Sequence, residues 1–250
     1  MDMQTAKILC ELNTRFYREN AESFSETRVA PWPGWRRCLE LVRADGLPDR
    51  PLRVLDLACG NLRFESYLTQ EVSFEAYAVD NCEDLVPEMR QVRFSNFDIV
   101  SALLDGKDPL PSQLHDVPAA DLSVCFGFMH HVPMRSLRER VLQGLVGQTA
   151  SGGFVCVSFW AFMNNAQLAT KALETHAQGA ADLDISDFDE GDYLLGWKNK
   201  PGVYRYCHHF SEGEIDALAA SVTDKADVVA RFLSDGRTGD MNSYLVLKVR

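Results

Sequence analysis

The chain has 250 residues, 46% hydrophobic and 24% charged, with seven cysteines and a net charge of −11 at neutral pH. Those totals suit one α/β domain with a sizeable core and speak against a surface that binds nucleic acid over its whole extent, which is ordinarily basic. They also speak against DNA or a membrane as partner, because no apolar run approaches the roughly 18–20 residues of a membrane span.

The opening MDMQTAK carries an acid and no apolar segment, so no secretory leader is expected. The cysteines are scattered and form no Cys-x-x-Cys pair, which argues against a disulfide framework or a structural zinc site and for a reduced, cytoplasmic protein. In residues 5–24, Ile8, Leu9, Leu12, Phe16 and Tyr17 have helical spacing. The prolines of APWPGW (Ala30–Trp35) interrupt that helix, and a second is predicted over Trp35–Ala44.

Strands are then predicted at Arg53–Leu57, Phe74–Val79, Val92–Asp98, Asp121–Phe126 and Gly153–Phe159. Helices are predicted between most of them, at Arg63–Thr69, Glu83–Arg90 and Met134–Gln148. Short apolar strands alternating with helices predict a doubly wound, mostly parallel sheet buried on both faces. Residues 161–200 break the alternation, with one helix predicted near Asn165–Glu174. A segment this long is usually functional or disordered, so it is a candidate lid. A strand at VYRYCHHF follows, then a helix opened by the capping box SEGE (Ser211–Glu214), then two closing strands at Asp227–Phe232 and Ser243–Val249.

Three acids end three successive strands. In VLDLACGN, Asp56 precedes a turn at Cys59–Gly60 that leads into a helix. In open α/β sheets ligands sit at such carboxyl ends. Asp80 stands about twenty residues on, the spacing of a carboxylate that accepts both ribose hydroxyls, although it or Asn81 can equally cap a helix. Asp98 in SNFDIV can meet an adenine amino group beside Phe97 or Ile99, or simply hold a turn. A dinucleotide needs its pyrophosphate close to glycine amides. Leu62, where a second loop glycine would stand, crowds that approach. A nucleoside bearing an amino acid, S-adenosylmethionine, fits better.

VLDLACGN, AVDN, NFD, ADLSVCFGFMHHV and GGFVCVSFW resemble the successive motifs of class I S-adenosylmethionine-dependent methyltransferases, over about residues 50–160. NAESFSETRVAPWPGW, GNLR, SFWAFMN, GDYLLGWKNK and RYCHHFSEGEIDAL are further similar to the tRNA wobble-uridine carboxymethyl methyltransferases, which methylate the carboxylate of 5-carboxymethyluridine. The resemblance implies a seven-stranded Rossmann-like sheet, N-terminal helices (1–48), a cofactor-binding core (49–160), a substrate-side insertion (161–205) and a C-terminal helix and strands (206–250). It also implies a tRNA acceptor and a small activating protein partner; a small-molecule O- or N-methyltransferase on the same fold is the alternative.

For the cofactor, the expected residues are Asp56, Ala58, Gly60, Asn61 and Arg63 in the first loop, Asp80 and Asn81 after the second strand, and Asp98 after the third. Phe126 and His131 complete the set. By resemblance, Arg28, Arg205 and His208 are the catalytic candidates, and Trp32, Pro33, Trp160, Trp197 and Tyr206 line the acceptor side. His130 or His131 can also serve as a general base or support the cofactor loop. No metal is expected, because no third ligand stands at useful spacing from the histidine pair. The run DLDISDFDEGD (Asp182–Asp192) has no basic residue, which an RNA-facing lid would need; charge runs are usually solvated.

Overall fold

The structure is a computed structural model that describes residues 1–26, 30–198 and 200–250. Five strands, β1 (Leu52–Leu57), β2 (Phe74–Asp80), β3 (Val92–Asn96), β4 (Ala120–Cys125) and β5 (Thr149–Trp160), run parallel. A hairpin, β6 (Asp192–Gly196) with β7 (Tyr204–His208), forms a separate antiparallel sheet. The chain ends in β8 (Ala226–Ser234) and β9 (Asn242–Val249), and β9 enters antiparallel between β5 and β8. The main sheet therefore has the order β3-β2-β1-β4-β5-β9-β8. It reverses direction of growth beside β1, with β2 and β4 on either side. That switch point is where open α/β sheets bind ligands.

Seven α-helices, α1 (Met3–Ser25), α2 (Pro33–Asp45), α3 (Arg63–Leu68), α4 (Ile99–Leu104), α5 (Arg135–Gly147), α6 (Ala166–Leu183) and α7 (Glu212–Ala220), are found among the described residues. Strand side chains alternate between faces, and both faces are apolar. Leu55, Val155 and Leu245 pack with Val141 and Leu145 of α5 and Ile215 of α7. Their neighbours Val54, Cys156 and Val246 pack on the other face with Trp35 and Leu39 of α2 and Phe64 of α3. Gly34 lets α2 sit directly on β9: a Cβ there would lie 2.2 Å from the Tyr244 ring.

The structure departs from the sequence expectations in three places. Glu83–Arg90 is not a helix; only a 3-10 turn forms at Glu83–Leu85, because Pro87 follows and disfavours helix at the residue before it. The third strand stops at Asn96, and Asp98 caps α4 by accepting the Ser101 N–H at 2.8 Å. The insertion is regular rather than loose. Asn165 caps α6 through the Gln167 and Leu168 amides, and the helix runs to Leu183 before the β6–β7 hairpin packs against it. Helix α1 is tied to this hairpin by Asn13, whose Oδ1 accepts the Tyr206 N–H at 2.7 Å and whose Nδ2 donates to the Tyr206 carbonyl at 3.0 Å.

Candidate functional site

The turn after β1 is built from alternating left-handed residues: Ala58, Gly60 and Leu62 have φ of 66°, 55° and 53°. Such backbone is costly for non-glycine residues, and neighbours hold it in place. The Ala58 and Cys59 amides donate to the Val79 carbonyl, at 2.8 and 3.1 Å. The Gly60 N–H donates to Asp80 Oδ2, and the Cys82 N–H to Asp80 Oδ1, both at 2.9 Å. Leu62 points away from the cavity. It is fully buried against Cys59 and Ala78, with Val86 and Met89 beside it, so it packs on β2 and the segment before β3.

A cavity of about 160 Å³ lies over this turn. Asp56, Ala58, Gly60, Asn61 and Arg63 line it from the first loop, Asp80 and Asn81 from the end of β2, and Asp98, Phe126 and His131 from further on. All ten residues expected at the cofactor thus stand around one space. Leu85, Phe97 and Ile99 give it an apolar wall next to Asp98. The sequence reading missed the roof: Cys10, Asn13, Thr14 and Tyr17 of α1 close it from above. Their helical spacing is the signal that they share one face of α1.

The residues fit S-adenosylmethionine. Asp80 is preorganised by two amides and borders the space, as a ribose acceptor should. Burial pushes its carboxyl above the usual range. Beneath the turn, Asp56 is 3% exposed and Glu65 fully buried. Burial and their mutual repulsion push Asp56 well up, and burial pushes Glu65 up to about 7. Among the described residues Asp56 Oδ1 and both Glu65 oxygens make no hydrogen bond to a donor. A positive charge beside such a pair favours its ionised form, so Asp56 in the cavity wall suits a cationic ligand such as a sulfonium-bearing amino acid.

A second, wider cavity of about 610 Å³ adjoins the first, and Tyr17, Trp32, Arg63 and Gly127 line both. Trp32, Trp160, Phe162 and Trp197 give it flat apolar walls. Its cations are Arg63, Lys171, Lys198 and Arg205. Its one acid among the described residues, Asp235, is already engaged by the Gly34 N–H, Asn242 Nδ2 and the Tyr244 hydroxyl. Arg205 is 5% exposed, with its guanidinium carbon 5.3 Å from the ring centres of Phe16, Trp160 and Trp197. Among the described residues its Nε has no acceptor. The Arg63 guanidinium lies over Trp32 and Trp35, and desolvation lowers its pKa to about 10.

The other acceptor-side expectations divide. Arg28 falls outside the described residues. Pro33 and Tyr206 line neither cavity. His208 corrects the sequence reading: it lines neither cavity and is 1% exposed. Its Nδ1 lies 2.7 Å from Asp192 Oδ1 and its Nε2 3.0 Å from Glu214 Oε1, with Arg138 beside both carboxylates. It therefore joins the insertion hairpin to α7 instead of meeting an acceptor. The acidic run also turns away. Asp189 pairs with the Met1 ammonium at 2.5 Å, Asp182 accepts the Tyr204 hydroxyl, Asp192 belongs to the His208 network, and none of its acids lines either cavity. Ligand atoms of His130, His131 and Cys207 lie within 4.8 Å of one another, but both His131 nitrogens are engaged, by the Tyr206 carbonyl and the Tyr17 hydroxyl.

No protein-family profile matches the chain. A protein of Encephalitozoon cuniculi that bears the provisional name methyltransferase is 26% identical over 212 residues, 83% of this chain and 84% of its own. An S-adenosylmethionine-dependent methyltransferase structure from Methanosarcina mazei aligns over 84% of this chain and 96% of its own, at 15% identity and a TM-score of 0.57. Magnesium protoporphyrin IX methyltransferase from Synechocystis, solved with S-adenosylmethionine bound, aligns over 95% and 96% at 14% identity and a TM-score of 0.53. With its strand order and the cavity at the switch point, the chain has the Rossmann-like fold of the S-adenosylmethionine-dependent methyltransferases.

Proposed function

We infer that this chain is an S-adenosylmethionine-dependent methyltransferase that esterifies a carboxylate on a flat acceptor. The observation that carries the acceptor class is Arg205: a desolvated guanidinium, boxed by three aromatic rings, in the wall of the cavity that adjoins the cofactor cavity. A buried arginine with no carboxylate partner among the described residues is a fitting anchor for one from a ligand. The surrounding tryptophans suit a planar ring attached to it.

The bound cofactor would supply a methyl group on a sulfonium. Asp80 would hold its ribose, the Asp98 side its adenine, and the wall above Asp56 its amino acid. A carboxylate acceptor is already ionised at pH 7 and needs no base. When bound, the cofactor would supply the methyl carbon for the new bond to the carboxylate oxygen, and the carbon–sulfur electron pair would stay with sulfur. An anion and a cation would become two neutral products. Aromatic walls that exclude water favour this loss of charge, and alignment across the cavity junction supplies the rest.

The resemblance in the sequence points to 5-carboxymethyluridine in tRNA as the carboxylate. Lys171 and Lys198 at the cavity and the turning away of the acidic run support that reading. The net charge of −11 favours the alternative, a small free carboxylate. Tritiated cofactor, tRNA from a strain lacking the gene and a low-molecular-mass extract from the same strain separate the two. Label in tRNA, located by nucleoside mass spectrometry on a uridine ester, supports the first. Label only in the small-molecule fraction supports the second, and label in neither overturns the proposal. The resemblance also implies a small activating partner, which affinity capture from the native host tests.

A further inference from the structure

The line of methyl transfer must cross from the first cavity to the second, so the group that meets the moving methyl belongs to the walls they share. Those walls are Tyr17, Trp32, Arg63 and Gly127. Among the described residues only Tyr17 offers a side-chain oxygen there. Its hydroxyl lies 2.7 Å from His131 Nε2. His131 Nδ1 lies 2.9 Å from the Tyr206 carbonyl oxygen. Asn13 Nδ2 lies 3.2 Å from the same Nδ1 but donates to the Tyr206 carbonyl at 3.0 Å, and the shorter Nδ1 contact is to that carbonyl, an acceptor; the tautomer this favours has the proton on Nδ1 and Nε2 accepting from Tyr17. A phenol that gives its proton to an imidazole holds more negative charge on oxygen.

The oxygen is also fixed in place. Asn13, one helical turn before Tyr17, clamps both backbone groups of Tyr206, the residue whose carbonyl orients His131. The Tyr17 ring stands edge-on to His131 at 5.3 Å and to Phe16 at 5.1 Å. One side chain of α1 therefore links the helix, the imidazole and the cavity junction.

We propose that the Tyr17 hydroxyl, oriented by His131, contacts the sulfonium methyl of the bound cofactor and aligns it toward the acceptor cavity. The proposal rests on the methyltransferase reading above. The C–H bonds of a methyl on a positively charged sulfur are polarised, and an electron-rich oxygen accepts them as weak hydrogen bonds. His131 acts through Tyr17 and is the positioning residue. Proton abstraction by this pair is the competing role, and it leaves cofactor discrimination untouched.

Calorimetric titration of the full chain with S-adenosylmethionine and with S-adenosylhomocysteine tests the proposal without knowledge of the acceptor. The product lacks both the methyl and the sulfonium charge. In Tyr17→Phe the ring stays and the oxygen goes. Affinity for S-adenosylmethionine should fall about fivefold to tenfold while that for S-adenosylhomocysteine stays within about twofold. His131→Ala should shift the ratio in the same direction, and His131→Gln, whose amide reaches the Nε2 position, should restore it. An unchanged ratio in Tyr17→Phe, or equal weakening of both ligands, overturns the proposal while leaving the methyltransferase reading intact. Wild-type chain that binds neither ligand overturns that reading and the proposal with it.

Discussion

The Asp80 carboxylate at the end of β2 accepts the Gly60 N–H at 2.9 Å, so the carboxylate expected at the ribose also holds the glycine turn after β1 in shape. Its second oxygen accepts the Cys82 amide. Asp80→Asn keeps one acceptor oxygen but places an NH₂ against one of these amides. Affinity for S-adenosylmethionine should fall by about tenfold to a hundredfold, roughly 1.4–2.7 kcal/mol. Calorimetry checks this; wild-type affinity in the variant would remove Asp80 from the cofactor site.

Arg205→Ala should lower kcat/KM for the carboxylate acceptor by about a hundredfold or more, through loss of a desolvated charge-assisted contact. Arg205→Lys should recover little, because an ammonium neither stacks between Trp160 and Trp197 nor offers a fork of donors. Cofactor affinity should be unchanged in both. Equal loss of cofactor binding would assign Arg205 to the scaffold.

The Asp56–Glu65 pair makes stability depend on pH. Glu65 titrates at about 7 in the folded chain, against 4.5 when unperturbed. Between those values the folded chain holds a proton that the unfolded chain has released, so stability falls as pH rises through the window and the full penalty stands above it. Glu65→Gln removes that titration. The variant should gain about 1–3 kcal/mol relative to wild type on going from pH 4 to pH 8. Melting curves at the two values measure it, and a gap that does not widen with pH would contradict the pairing.

His208→Gln should damage the fold and spare the chemistry. It removes the imidazole that bridges Asp192 and Glu214 in a buried cluster with Arg138, at a cost of about 2–4 kcal/mol. Folded variant assayed below its melting temperature should retain kcat within about threefold. A loss of kcat with an unchanged melting temperature would return His208 to the active site.

Leu62→Gly exchanges left-handed strain for a cavity. Relief of the φ of 53° is worth roughly 1 kcal/mol, and loss of the buried side chain costs about 2–5 kcal/mol. Stability should drop by a net 1–4 kcal/mol while cofactor affinity stays within about tenfold. A larger loss of affinity at full folding would mean that Leu62 shapes the cavity after all.

Five parallel strands and the carboxylates Asp56 and Asp80 at the ends of two of them were legible in the sequence because each depends on local pattern. Val54 and Leu55 alternate between two apolar faces, Asp56 follows at the strand end, and Asp80 stands at the ribose spacing. The capping box at Ser211 was legible for the same reason, as two side chains three residues apart. Pro87 overrode the helical pattern at Glu83–Arg90, a local signal outweighed by another.

Long-range pairings were not legible. Tyr17 and His131 are 114 residues apart and Asn13 and Tyr206 193, and neither partner carries a mark of the other in its own neighbourhood. His208 shows the same limit from the opposite side: a histidine in an aromatic, basic segment reads as chemistry until Asp192 and Glu214 are found on both of its nitrogens. Periodicity and turn chemistry act over a few residues, so the chain alone prescribed a doubly wound sheet with an acid-tipped ligand edge. Which helix roofs that edge, which arginine is boxed by aromatic rings and which histidine is locked away depend on contacts between distant segments, and only the packed structure brings those together.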